Sequence, residues 1–443
     1  MKLLLRAVSV LAAFGLALSA CSAHNGSSGG STPGVAADGS ATVKAKSLTV
    51  WTNAADPAYV TDAYTDFGKK FGVTMNIVKI PADSFESQVQ TKWASGDRPD
   101  LLEYHATSLF WALNPASNMI DMSKMPYVAK SGDVYQSGGS YQGKVYAAIT
   151  SAPVLFGLYY NKKTLADAGL SAPKTFADIE NICTTLKQKN PTVTPLWESG
   201  GSGWPTQILS LLYVADAEKA KGYSTELLNK KTTMDDPSGP FTAAMAEYKK
   251  LHSMGCYNKD ATTAKFEDSI KAVASGTTAM TALHSDLVSM FAAQFGDDLA
   301  KASDAIGWAS PSASDATAAW APSVSGTWYI PRTGDTDKES SALAFVQWIT
   351  GAGYQDYVNA QQSFPILTGA KGPDNTPGIQ QEIHAAYEAN RSLAFNTNLV
   401  GFNSQSVAWM TGLLSGQYSP EQVGALAQKA LAQGAKTAKL PGW

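Results

Sequence analysis

The sequence predicts an α/β protein built on a parallel, doubly wound sheet and large enough to divide into two lobes. Its 443 residues exceed the usual size of one compact domain. Strand-like and helix-like patterns alternate from Leu48 to Leu102, the order that produces a parallel sheet. A hydrophobic fraction of 44% against 16% charged residues excludes a disordered chain and leaves Ser, Thr, Asn, Gln and Gly to cover much of the surface.

The elements follow in order. Lys2 and Arg6 precede an apolar run, residues 7–20, that is too short to span a bilayer as a mature helix and reads as a secretory signal. It ends in Leu18-Ser19-Ala20-Cys21, which resembles the lipobox of bacterial lipoproteins, in which the cysteine thiol accepts a lipid. The alternative is an ordinary signal peptide with an incidental cysteine. Residues 21–46 are rich in Gly, Ser and Ala and hold no aromatic residue, so they are expected to form a flexible tether. The body opens with the strand-like run Leu48–Thr52, followed by Asp56-Pro57 as helix cap and first turn. Val60, Ala63, Tyr64, Phe67 and Phe71 then mark one helix face. Val73–Ile80 reads as a strand, Phe85–Trp93 as a helix, and Arg98–Leu102 as entry to a third strand. Ligands of such sheets gather beyond the carboxyl ends of the strands, here Thr52–Asp56 and Glu103–Thr107. Thr175-x-x-Asp178 and Ser419-Pro420-Glu421-Gln422 resemble capping boxes, and the stretch from Phe395 to Gln433 reads as helix and loop only.

Setting Cys21 aside leaves Cys183 and Cys256, an even number in an oxidising compartment, which permits one disulfide. Cys183 also lies on the apolar stripe of a helix, where a buried free thiol fits equally well.

Much chemistry is missing. A net charge of −3 without a basic block argues against nucleic-acid binding. His24, His105, His252, His284 and His384 show no metal-ligand spacing, and no metal site or cofactor is expected. Gly200-Gly201-Ser202-Gly203-Trp204 lacks the last glycine of a nucleophile elbow, and neither a P-loop nor a dinucleotide-binding glycine motif occurs. A glycosidase carboxylate pair needs only to be close in space, so a glycan hydrolase stays as the rival enzyme class.

Several segments resemble the extracellular solute-binding proteins (family 1) of bacterial ABC importers, the maltose-binding-protein-like group. They are Gly157–Leu165 with Ala168-Gly169-Leu170 and Pro173–Phe176, then Gly276–Met280, Gly326–Pro331, Ala342–Ile349, Phe364-Pro365-Ile366 and Leu414–Glu421. The resemblance runs in order from Leu48 to about Gln433. It implies two α/β lobes of the periplasmic-binding-protein kind joined by three crossings, with residues 47–156 and 309–328 in lobe I and 160–305 and 331–443 in lobe II. It also implies a ligand held by hinge closure and read by a membrane permease, without catalysis.

Sugar rings offer an apolar face and a rim of hydroxyls, so a site needs aromatic platforms with amide or carboxylate partners. At positions resembling family contacts, Tyr104 and His105 are expected in the first lobe, with a core aromatic and a surface histidine as the plain alternative. Asn53 is preferred to Trp51, which packs beneath the following helix. Trp204 in its glycine-rich turn, and Phe402 with Asn403, are expected on the second lobe's wall, whereas Trp409 packs within a helix. Trp328 faces either the cleft or the hinge core. Where the family often carries Gly-x-Trp, this chain has His284-Ser285-Asp286. Asp286 either meets ligand hydroxyls or a cationic group, or caps the helix beginning at Leu287.

The leading expectation is thus a monomeric, lipid-anchored, extracytoplasmic importer subunit for a carbohydrate. A lipid-anchored glycan hydrolase and an adhesion or scaffold protein are the alternatives.

Overall fold

A computed structural model describes residues 35–131, 138–373, 376, 378–403, 405–438 and 440–443. The expected signal segment and Cys21 lie outside the described residues.

The first lobe grows from the strand Ser47–Asn53, whose Leu48 and Val50 are fully buried. This strand pairs in parallel with Thr74–Ile80 on one side and Leu101–Glu103 on the other. The helix between the first two strands, Ala58–Phe71, buries Val60, Ala63, Tyr64 and Phe67 and stops at Gly72 in the left-handed conformation. Phe71, in its last turn, stays 40% exposed. The sheet then continues with Thr327–Tyr329, antiparallel to both neighbours, and Ala147–Ile149, so it is mixed and not wholly parallel.

The second lobe is organised by the long strand Val154–Asn161. Ile306–Ala309 and Ala318–Ala321 pair antiparallel with its two ends, and Thr278–His284 pairs antiparallel with it from Phe156 to Tyr160. Thr194–Trp197 and Arg391–Leu393 complete the sheet. Helix Phe176–Lys189 starts with a full capping box between Thr175 and Asp178, and Pro420–Thr437 with one between Ser419 and Gln422. Cys183 and Cys256 are both buried and joined by a disulfide, so the free-thiol alternative is set aside.

Three crossings join the sheets: residues 150–153, residues 322–326, and the stretch between the helices Tyr354–Gln361 and Gly378–Ala389, of which residues 362–373 and 376 are described. The number matches the expectation; the places differ. Ala318–Ala321, expected in lobe I, belongs to the second sheet because Trp320 pairs with Leu155. Residues 336–361, expected in lobe II, cover the first sheet: Leu343, Phe345, Val346, Tyr357 and Val358 are buried in its core. The tether also ends sooner than expected. Val35, Ala37, Ala41, Val43 and Ala45 alternate inward against that core. The amides of Lys44 and Ala45 donate to Ser341 Oγ at 2.9 and 2.8 Å. Alternating small apolar side chains thus supply the burial that the Gly- and Ser-rich composition alone did not suggest. Among the described residues no helix is long and apolar enough to cross a membrane.

Candidate functional site

The strands Ser47–Asn53 and Leu101–Glu103 deliver their carboxyl ends to one place. Thr52 Oγ1 lies between Asp56 Oδ2 and Glu103 Oε2, and Glu103 also accepts from Tyr64 Oη at 3.1 Å and from the Gly326 amide at 2.7 Å. Burial, and then the neighbouring Asp56 charge, push the Glu103 carboxyl well above the usual range. Asp56 Oδ1 accepts from Ser325 Oγ at 2.9 Å. These carboxyls therefore tie the first sheet to the second crossing.

Beyond this knot the wall carries Tyr59 and His105. Tyr59 packs edge-on against Tyr357 at 5.3 Å. His105 Nε2 meets Glu86 Oε1 at 2.7 Å, and that bond and the histidine's charge outweigh burial to hold the Glu86 carboxyl below its ordinary value. The facing wall comes from the carboxyl ends of Thr194–Trp197 and Thr278–His284. Trp204 and His284 lie ring to ring at 4.6 Å, with Phe266 5.3 Å from Trp204 and Phe156 5.2 Å from His284.

The walls face each other. His284 is pushed down to about 4, mainly by burial and further by His105 on the opposite lobe. Asp286 is pushed up to about 6, first by desolvation and then by Asp56 on the opposite lobe. Yet Asp286 keeps an exposed surface and His284 and Tyr59 a partial one. Enclosure together with accessibility marks the lining of a cleft. At one rim the lobes touch, where the Ser108 amide donates to Thr397 O at 2.8 Å and Ser108 Oγ to Leu399 O at 3.1 Å. Among the described residues no group of three or more His, Cys, Asp or Glu is placed to hold a metal ion.

Of the residues expected from sequence, His105, Trp204 and Asp286 come together here. Asn53 stands at the end of its strand, half-buried, with its Oδ1 accepting from the Ala55 amide at 2.9 Å. Three others are core residues. Tyr104 is fully buried beside Phe85. Trp328 is fully buried, with Nε1 donating to Tyr64 Oη at 2.8 Å and its ring 5.2 Å from Phe345, so the hinge-core alternative holds. Phe402 is 1% exposed among Phe241, Phe395 and Trp409. Large rings at these positions find apolar neighbours on every side, which outweighs any gain from facing water. Asn403 spends its amide on Asn396, donating to its carbonyl at 3.0 Å and accepting from its Nδ2 at 2.6 Å. Asp286 does not cap the helix Val288–Ala293, which has no side-chain cap.

Tyr59 and His284 were missed as wall residues. Tyr59 precedes Val60 in the first turn after a strand end and lies off the apolar stripe, so it sits at the edge of the first core, packed against it on one side and partly accessible on the other. In the sequence His284 stands out only as part of a departure from the family pattern.

The sequence profile of a family described as bacterial extracellular solute-binding protein matches residues 62–386. A multiple sugar-binding protein of Streptococcus mutans is 27% identical over 117 residues, 26% of this chain and 27% of that protein, so the match spans about a quarter of the relative's length. The solved structure of a chitin oligosaccharide binding protein superposes with a TM-score of 0.74 at 20% identity, covering 88% of this chain and 99% of the other. A sugar transporter protein from Bacillus licheniformis in complex with stachyose superposes with a TM-score of 0.66 at 20% identity, covering 87% and 99%. At such identities the structural likeness establishes the two-lobed fold.

Proposed function

This chain belongs to the bacterial extracellular solute-binding proteins, and from that premise we propose that it captures a saccharide between its lobes by hinge closure and delivers it to an ABC permease. The observation that carries the reading is the pair of facing walls: Trp204 and Tyr59 supply aromatic surface, while Asp56, Asp286 and His105 supply polar partners. That combination suits a ring with an apolar face and hydroxyl rim. Relatives named for sugars, one of them solved with stachyose, support the same class of ligand. Attachment to the outer face of the membrane through a lipid on Cys21, and a monomeric state, complete the proposal.

Calorimetric titration of the protein with a panel of oligosaccharides, paired with product analysis, tests it. The expected result is saturable binding with a raised melting temperature and no product. Trp204→Ala is expected to weaken binding about tenfold, the loss of one stacking platform. Turnover of a glycan would sink the importer reading in favour of the hydrolase.

A further inference from the structure

Trp204 owes its place to a turn, residues 198–203, that leaves the strand Thr194–Trp197 and lies against the segment 258–266. The Gly200 amide donates to Ala261 O at 2.7 Å and the Gly201 amide to Ala264 O at 2.9 Å, while the Phe266 amide donates to Ser202 Oγ at 3.0 Å. The approach is close. A Cβ on Gly200 would meet Ala261 O at 2.5 Å, and one on Gly201 would meet Thr263 O at 2.1 Å. The segment is fixed in turn, because the Leu196 amide donates to Cys256 O at 3.0 Å and Cys256 is tied to Cys183. At the root of the turn lies Glu198. Its amide donates to Asn258 Oδ1 at 2.7 Å, and its Oε1 accepts from the Ser199 amide, also at 2.7 Å. Glu198 is 2% exposed, and among the described residues it forms no ion pair.

A carboxyl so placed touches no solute, and ionising it puts a charge where water does not reach. Burial pushes it up to about 7, against the opposing bonds from the Ser199 amide and the Tyr248 hydroxyl. The titratable groups that face it are Tyr248, on the helix Pro240–Ser253, and Tyr257, which follows Cys256. Burial holds both hydroxyls well above the usual tyrosine range, so both stay neutral here. Asp260 is one hydrogen bond removed, accepting from Asn258 Nδ2 at 2.9 Å, and Lys265 Nζ is spent on Gly201 O at 2.8 Å. A displaced turn that lets water reach Glu198 restores the ordinary value of 4.5. The seated turn therefore holds the proton more firmly than the displaced one. Seating is fully supported below about pH 4.5, and that support is lost as pH rises through about 7.

Resting on the saccharide-binding reading above, we propose that Glu198 is a positioning residue for solute capture: its protonated carboxyl seats the turn that carries Trp204, and its ionisation unseats that turn and weakens binding. The effect passes through Ser199 and the two glycines to the Trp204 ring, whose contacts with His284 at 4.6 Å and Phe266 at 5.3 Å set its angle on the wall. A saccharide that needs the seated ring loses affinity in proportion to the fraction of protein that keeps it.

The test compares the unaltered full chain with Glu198→Gln at pH 6, 7 and 8, by calorimetric titration with stachyose and with a chitin oligosaccharide and by hydrogen exchange without solute. Glu198→Gln keeps the shape and stays neutral. Its advantage in affinity over the unaltered protein should grow from pH 6 to 8, by about tenfold at most. Glu247, which burial also pushes up to about 7, titrates in both proteins and cancels in that ratio. After allowance for intrinsic rates, the amides of residues 199–203 should lose protection from pH 6 to 8 in the unaltered protein and keep it in the variant. The unaltered protein's exchange series decides the matter even if the variant folds poorly. Protection that falls across the helix Phe176–Lys189 but not in the turn shows a carboxyl serving the core alone, and overturns the proposal. An affinity ratio that pH does not move overturns the role in capture while leaving saccharide binding standing. Failure of both sugars to bind counts against the saccharide reading, and the exchange series, which needs no solute, still decides whether Glu198 seats the turn.

Discussion

Asp286 and His284 sit two residues apart at one strand end and titrate in opposite senses. Folding pushes the carboxyl up to about 6 from 3.8 and the imidazole down to about 4 from 6.5. Between about pH 4 and 6 the folded protein holds a proton on Asp286 that the unfolded chain has released, so this group's contribution falls as pH rises. Across nearly the same window the unfolded chain holds a proton on His284 that the folded protein lacks, so this contribution rises with pH. The two slopes oppose, and the unliganded protein should show a flat melting temperature across that window from this pair. Each variant should expose the other's slope. Asp286→Asn leaves a protein that loses stability on acidification from pH 6.5 to 4, while His284→Gln leaves one that gains it. After allowance for solvent screening each slope amounts to about 1–2 kcal/mol over the window. Thermal melts of the three proteins at half-unit pH steps check this, and parallel curves would contradict it.

At the scale of elements, the second crossing is the most constrained piece of chain. Gly326 has φ +80°, and a Cβ there would meet Tyr357 Oη at 2.2 Å and Ser151 Oγ at 2.4 Å. Its carbonyl accepts from Thr150 Oγ1 and the Thr150 amide, both at 3.0 Å, and its own amide serves Glu103. The first and second crossings are thereby bonded to one another, and Tyr357 reaches them from the helix Tyr354–Gln361 through Ser151 at 2.8 Å. Gly326→Ala should cost about 1–3 kcal/mol from backbone strain, with overpacking adding to it. A denaturant melt measures this; a loss under about 0.5 kcal/mol would mean that the crossing relaxes freely. The sequence carries part of this arrangement. Gly326-Thr327-Trp328 is visible as a motif, and the capping boxes at Thr175 and Ser419 are legible because their bonds are local. The partners of Gly326 lie 176 residues and more from the motif on one side and some 30 on the other, and no local pattern reports them. The same limit moved Tyr104 and Phe402 from the expected wall into cores and left Trp328 open between cleft and hinge core: an aromatic near a strand end reads alike in sequence whether it faces water or a neighbouring ring.

At the scale of the molecule, two sheets with separate apolar cores are joined by three short crossings and touch at one rim through Ser108, Thr397 and Leu399. The rim holds few bonds. With no ligand, hydration of both walls acts against so small a contact and favours opening. A ligand that touches both walls shifts the balance by its differential affinity for the closed form. The pivot is stiff at Gly326, so the motion should be a rotation of intact lobes about the crossings and not a loosening of either core. Small-angle scattering should give a radius of gyration that falls from the unliganded protein to saturation. Far-ultraviolet dichroism should stay unchanged across the titration, since no element melts. A radius that does not move at saturating ligand would count against lobe closure as the means of capture. A radius that falls along with a change in helix content would point to folding of a segment in place of hinge rotation.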